Sequence, residues 1–314
     1  MMKAFQEELI TAGMEHKTMT TPFPTGVFLR KTDASEEEAR IVHDRGYRRI
    51  VGMLLWATRG VYPECQQGCS QLGHVLSNPS EHAWNSALHM LKWIHDHRSH
   101  GIQFSSAGNP MPIIFSDASN KPDPDDGFSR YGFAAMMAGG PIATTSKKLS
   151  HVGLSAFHNE YMALRHAAGQ AMWIRNLARE SGLSYMTREP TVIYGDNQAA
   201  NKLTKEDFIS SGNQYIYLPY HWVKELTRAS EIVVRYVPTK ANLSDIFTKS
   251  VGPDVIRNLY EKITGYDKSW INDAYNEYKN YAKHVNTVIT YRVVDDDAYN
   301  HEDIATVHVN MTMA

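Results

Sequence analysis

The chain has 314 residues, 42% of them hydrophobic, enough to build a sizeable core as one large domain or two modest ones. A formal net charge of -2 argues against a generally basic protein that coats nucleic acid, so any such contact has to rest on local Lys and Arg clusters. Two cysteines, Cys65 and Cys69, make no disulfide framework, and the sequence shows neither a signal-peptide core nor an apolar run of the roughly 20 residues that span a bilayer, so an intracellular protein is expected.

Residues 1–46, with Thr21 Pro22 Phe23 Pro24 in the middle, carry no strong period and read as a connector. From Tyr47 the pattern becomes helical: Ile50, Val51, Leu54 and Leu55 recur at helix spacing, and Trp84, Leu88, Leu91 and Ile94 do so after Asn78 Pro79 Ser80. Cys65 and Cys69 in this region, followed by His74, His82, His89, His95, His97 and His100, invite a zinc reading, but their spacing matches no closed site. After Gly108 Asn109 Pro110 the composition turns strand-like near 112–117, 129–138 and 141–147. A long helix over 155–181, a strand at 191–195, a short helix from Asn197, a helix near 217–229, a strand at 231–237 and a helix from Leu243 follow. Strands that first run together and then alternate with helices predict a mixed sheet flanked by helices. Beyond Tyr266 the chain is rich in Tyr, Asn and Asp and shows no chemistry.

Four acids stand out: Asp117 and Asp196 at the ends of apolar strand-like runs, Glu160 within the long helical pattern, and Asp245 opening a later helix. Singly, most have ordinary readings. Asp117 suits a turn with Ala118 Ser119 Asn120, Asp196 suits a helix N-cap, and Asp245 suits a first helical turn after a cap at Asn242. Glu160 is harder to explain, because it shares a helix stripe with Phe157, Tyr161, Leu164, Ala168 and Met172, and a buried carboxylate needs a partner. Together they suit a site for divalent ions. Two such ions about 4 Å apart can activate a water and relieve charge on a leaving oxygen, and Mg2+ prefers oxygen ligands.

The motifs around these acids resemble the Pol polyprotein of copia-type LTR retrotransposons. They include Tyr47 to Trp56, Asn78 Pro79, Ser146 Lys147 Lys148, Glu160 Tyr161 Met162 Ala163 Leu164, Gly195 Asp196 Asn197 Gln198 Ala199 Ala200, Tyr220 His221 and Ser244 Asp245 Ile246 Phe247 Thr248 Lys249, spread over roughly residues 10–266. The resemblance implies an α/β fold, an RNase H-like mixed five-stranded sheet flanked by helices at 109–266. A small, mainly helical connection domain of reverse transcriptase type would precede it at 47–108, with 1–46 as connector and 267–314 as a tail. It further implies cleavage of the RNA strand of RNA/DNA hybrids, with Asp117, Glu160, Asp196 and Asp245 as ligands of two Mg2+ ions, for which Mn2+ can substitute. The polymerase part of a Pol polyprotein is the implied protein partner, and the implied location is cytoplasmic, in virus-like particles, or nuclear.

For substrate contact, Ser119, Lys147, Lys148, Asn197, Lys202, Lys240 and Lys249, with Lys205, lie near the predicted acid-bearing ends. The chain departs from the family's pattern where Gln214 to Pro219 replaces a basic stretch and where the loop before Asp245 holds no histidine, leaving His158 and His221 as stand-ins. Val293 Val294 Asp295 Asp296 imitates the paired aspartates of the polymerase but follows the nuclease motifs instead of preceding them, and reads as a solvated acidic turn. The polymerase palm is not expected within the chain. The competing reading is a remnant without catalysis that binds nucleic acid or protein.

Overall fold

In the computed structural model, residues 2–105, 111–120, 123–150, 152–153, 155–204 and 217–270 are described. Lys205, Gln214 to Ile216, the acidic run at Asp295 and the tail from 271 lie outside them.

Helices α1 (Gln6–Thr11) and α2 (Glu36–Asp44) occupy the stretch read as a connector. The local signal for α2 is a capping pattern, Ser35 with Glu38 three residues on, and Ser35 does accept from the Glu38 N–H. Phe5, Leu9, Phe23, Leu29 and Val42 of this stretch are all buried. They pack with α3 (Tyr47–Gly60), α4 (Gln66–His74) and α5 (Glu81–Asp96), and the apolar stripes of α3 and α5 face inward as the periodicity predicts. Tyr47, fully buried, donates its hydroxyl to the Leu72 carbonyl at 2.9 Å and so pins α3 to α4. Leu55 departs from the expected stripe and is exposed, as is Trp56 beside it.

The sheet contains β1 (Ile113–Ala118), β2 (Arg130–Met137), β3 (Gly140–Lys148), β4 (Thr191–Gly195) and β5 (Ile232–Tyr236), in the order β3-β2-β1-β4-β5. The first three strands form an antiparallel meander, while β4 and β5 add in parallel to β1. The mixed five-stranded sheet with flanking helices is therefore present as expected. Every residue of β1 and of β4 is buried, which explains their nearly continuous apolar runs.

Helix α6 (Ala156–Glu180), N-capped by Ser155, lays Tyr161, Leu164, Ala167, Ala168 and Ala171 against Ile114, Phe133, Ala135 and Ile193 of the sheet. Its far end is fixed by buried Arg175, which donates to the carbonyls of Thr187 and Glu189 at 2.7 Å each and pairs with Glu231 at 2.5 Å. Helices α7 (Gln198–Leu203) and α8 (Tyr217–Arg228) follow β4. The helix expected from Leu243 is instead a short 3-10 helix, Leu243–Phe247, separated by residues 248–252 from α9 (Pro253–Thr264), which starts on Pro253.

Helical segment and sheet belong to one compact unit, 1–267. Polar contacts tie them, with Arg130 of β2 donating to Ser70 Oγ at 2.6 Å and Gln66 of α4 to Thr144 Oγ1 at 2.5 Å. No helix among the described residues is long and apolar enough to cross a membrane.

Candidate metal centre

The parallel pairing of β1 and β4 builds the site. Ser116 is registered with Gly195, so the next residue of each strand, Asp117 and Asp196, emerges at neighbouring carboxyl ends. Gly195 makes this turn possible, since a Cβ there would lie 2.9 Å from Asn201 Oδ1 and 3.3 Å from Leu164 Cδ2. Asn201 in turn donates to the carbonyls of Gly195 at 2.7 Å and Arg235 at 3.3 Å, locking α7 across the ends of β4 and β5. From α6, Glu160 reaches the same point and accepts from the Ala118 backbone N–H.

Carboxylate oxygens of Asp117, Glu160 and Asp196 lie within 4.8 Å of one another, the first two residues buried and the third partly exposed. Asp245 is buried as well but stands outside that triad, its Oδ1 2.5 Å from Nζ of half-exposed Lys249. Burial pushes the Asp117 carboxyl up to about 7, against a hydrogen bond donated by Thr248 Oγ1 and with further repulsion from Asp245 and Asp196. Burial, then Asp117 and Asp196, push Glu160 up to about 9. Asp245 is also raised by burial, which outweighs the Lys249 pairing. Burial opposes the charge on Lys249, but Asp245, Asp117 and Asp196 prevail and raise its pKa. Three hard oxygen donors that repel one another in a partly dry pocket fit a divalent cation.

Asn242 and Thr248, which the acid pattern alone does not single out, hold the fourth acid in place. Fully buried Asn242 donates to the Ser116 carbonyl at 3.0 Å while its Oδ1 accepts from Ser244 N and Oγ. The Leu243–Phe247 turn is thereby fastened to the strand that carries Asp117. Gly132, registered opposite Asp117, permits that seating, because a Cβ there would lie 2.5 Å from Phe247 Cβ. Thr248 was visible in the sequence only as part of a motif, and its role needs the fold.

The residues expected at the substrate scatter more widely. Ser119, just past β1, closes a backbone hydrogen bond to Arg130, and Asn197 caps α7 by accepting from Ala200 N. Lys147 is exposed on β3, Lys202 on α7, and Lys240 in the turn that precedes Asp245. Lys148 is engaged elsewhere, 2.6 Å from Asp123 Oδ2 and 2.8 Å from Asp126 Oδ2, in a cluster that also contains His74. His158 is buried in the first turn of α6 and His221 lies on α8. Cys65 and Cys69 are buried free thiols, and burial raises both, Cys69 to about 12.

Fold and site thus define an α/β protein with a carboxylate cluster at the adjoining ends of two parallel central strands. Over 220 residues, 69% of the chain, it is 30% identical to the retrovirus-related Pol polyprotein from transposon RE2 of Arabidopsis thaliana, and the match covers 15% of that polyprotein. A stretch of 128 residues, 41% of the chain, is 27% identical to the secreted RxLR effector protein 161 of Plasmopara viticola and covers 90% of it. No protein-family model matches. The solved structure of LC11-RNase H1 in complex with RNA/DNA hybrid aligns at 11% identity and a TM-score of 0.32, covering 42% of this chain and 88% of that one, a likeness too low to add to the strand order. The chain is a homologue of the Pol polyproteins of plant copia-type transposons, and it spans about 15% of the length of the curated relatives it matches.

Proposed function

We propose that the protein is a metal-dependent endoribonuclease of RNase H type that cleaves the RNA strand of RNA/DNA hybrids. The observation that carries this reading is the convergence of Asp117, Glu160 and Asp196 on one point, with two of the three held above the ordinary carboxylate range. Residues 109–266 are the nuclease domain, 47–108 a connection domain of reverse transcriptase type, 1–46 the connector and 267–314 a tail. The polymerase part of a Pol polyprotein is the natural neighbour, a reading supported by the relatives.

Asp117, Glu160, Asp196 and Asp245 are the proposed ligands of two Mg2+ ions, with Mn2+ as substitute. Bound there, the ions would supply an activated water and charge relief for phosphodiester hydrolysis. Thr248 holds the Asp117 carboxylate by its hydroxyl, and Asn242 keeps the Asp245 turn against β1. Partly exposed Asp196 marks the open side, where Lys147, Lys202, Lys240 and Lys249 with Ser119 and Asn197 are the proposed backbone contacts. Lys148 belongs to that set only once it leaves Asp123 and Asp126.

The internal pairing of Lys148 and Lys249 favours a second reading, a binding module without catalysis, since two of the expected substrate cations are already engaged. Incubation with a labelled RNA/DNA hybrid, with and without Mg2+, separates the two. RNA cleavage that is lost in Asp117→Asn and in Asp196→Asn supports the nuclease. Hybrid binding with intact RNA at every Mg2+ and Mn2+ concentration leaves the binding module.

A further inference from the structure

The four acids are not equivalent in their access to a cation. Asp117, Glu160 and Asp196 present oxygens to one another within 4.8 Å, whereas Asp245 already has a cation of the chain's own, Lys249 Nζ at 2.5 Å. The two residues are four positions apart, Asp245 within the 3-10 helix and Lys249 just past its end, and the lysine side chain is half exposed while the carboxylate is buried. An ammonium on such a stem can exchange a carboxylate for solvent or for a phosphate without any change in the backbone.

We propose that Lys249 competes with the second divalent ion for Asp245, so that the free protein binds one ion readily and the second only after the lysine swings away. The inference rests on the metal-centre reading above. A substrate phosphate that draws Lys249 off Asp245 strengthens binding of the second ion, and by reciprocity the second ion strengthens substrate binding. Lys249 stays protonated throughout and acts by moving its charge. It is a positioning residue here, and it couples substrate arrival to completion of the centre.

Calorimetric titration of the full chain with Mn2+, in the absence of nucleic acid, tests this. The wild type should show one tight site and one weak site, the tight site lost in Asp117→Asn and the weak site lost in Asp245→Asn. Lys249→Met should tighten the weak site about tenfold and leave the tight site within about twofold, an effect in keeping with removal of one half-exposed charge at contact distance. Lys249→Gln, which keeps a polar head, should behave as Lys249→Met, and Lys249→Arg as wild type. Arg257→Met, the loss of an exposed cation on α9 outside both the pair and the proposed substrate contacts, should change neither site. A weak site that is unchanged in both neutral variants, or tightened equally by Arg257→Met, overturns the proposal while leaving the metal centre standing. Absence of any Asp117-dependent Mn2+ binding overturns the metal centre itself, and the competition with it.

Discussion

Among the described residues two clusters bring acidic side chains together, and they differ in what holds them together. In one, Asp117, Glu160 and Asp196 meet at the strand ends, where burial and mutual repulsion outweigh the pull of nearby Lys249 and raise Asp117 and Glu160. In the other, His74, Asp123 and Asp126 also bring ligand atoms within 4.8 Å, but Lys148 stands among them and Asp125 adds a contact of 3.0 Å to His74. Burial works against Asp125 and Asp126 too, yet it is outweighed by the Lys31 N–H and His74 for Asp125, and by Lys148 for Asp126, so both fall below the ordinary range. Convergence of acids therefore does not by itself mark a site for a cation. An unmet demand for positive charge would, and of these two clusters the first has it.

The largest effect that tests this contrast is on catalysis. Asp117→Asn should lower Mg2+-dependent cleavage of the RNA strand by at least about a hundredfold, the scale on which metal-held charge stabilisation acts. Asp123→Asn should leave the rate within about threefold, measured on the same hybrid at saturating Mg2+. Equal losses in both variants would erase the distinction between the clusters.

Stability of the metal-free protein gives the next effect. A carboxyl raised in the folded state binds protons more tightly there than in the unfolded chain, so stability falls as pH rises from about 4, the unfolded value, through the folded values of about 7 for Asp117 and about 9 for Glu160. In EDTA, chemical denaturation should show this decline between pH 5 and pH 9. Asp117→Asn, which removes one of the two groups, should be more stable than wild type at pH 8 by on the order of 2 kcal/mol. Millimolar Mg2+ should abolish or reverse that advantage, because the ion stabilises only the wild-type cluster. A variant less stable than wild type in EDTA at pH 8 would mean that the Thr248 hydrogen bond, not charge repulsion, dominates at Asp117.

The same contrast explains what the sequence made legible. Strand ends are readable because β1 and β4 are buried on both faces, so Ile113 Ile114 Phe115 and Thr191 Val192 Ile193 Tyr194 stand out, and the acids that follow them stand out too. Glu160 was readable for the same reason, as a charge on a stripe that includes fully buried Tyr161 and Ala168. What local pattern does not carry is partner choice. Lys147 and Lys148 are adjacent, but strand alternation sends them to opposite sides of β3, one to solvent and the other to Asp123 and Asp126, which lie more than twenty residues earlier. Asn242 and Thr248 act on Ser116 and Asp117 across more than a hundred residues, and only the closed sheet shows it. The helices within 1–46 are a different case, since the Ser35 to Glu38 cap was in plain view and the absence of a long period concealed it.

Lys148→Met should have the smallest effect and is the most discriminating. The side chain is mostly buried, so its loss leaves Asp123 and Asp126 without their shared cation, at a cost of about 1–2 kcal/mol at pH 7 once partial solvent screening is allowed for. The Asp126 carboxyl, held below the ordinary range chiefly by Lys148, contributes stability above the unfolded value of about 4 and loses it as pH falls through its folded value. The deficit of the variant should therefore shrink towards zero between pH 4 and pH 2, opposite in sign to the trend at Asp117. With Lys148 gone, His74, Asp123 and Asp126 have the same unmet charge as the strand-end cluster, and millimolar Ca2+ or Mg2+ should recover part of the lost stability. A deficit that divalent ions leave untouched would show that geometry, and not compensation by Lys148, is what keeps this second cluster from being a metal site.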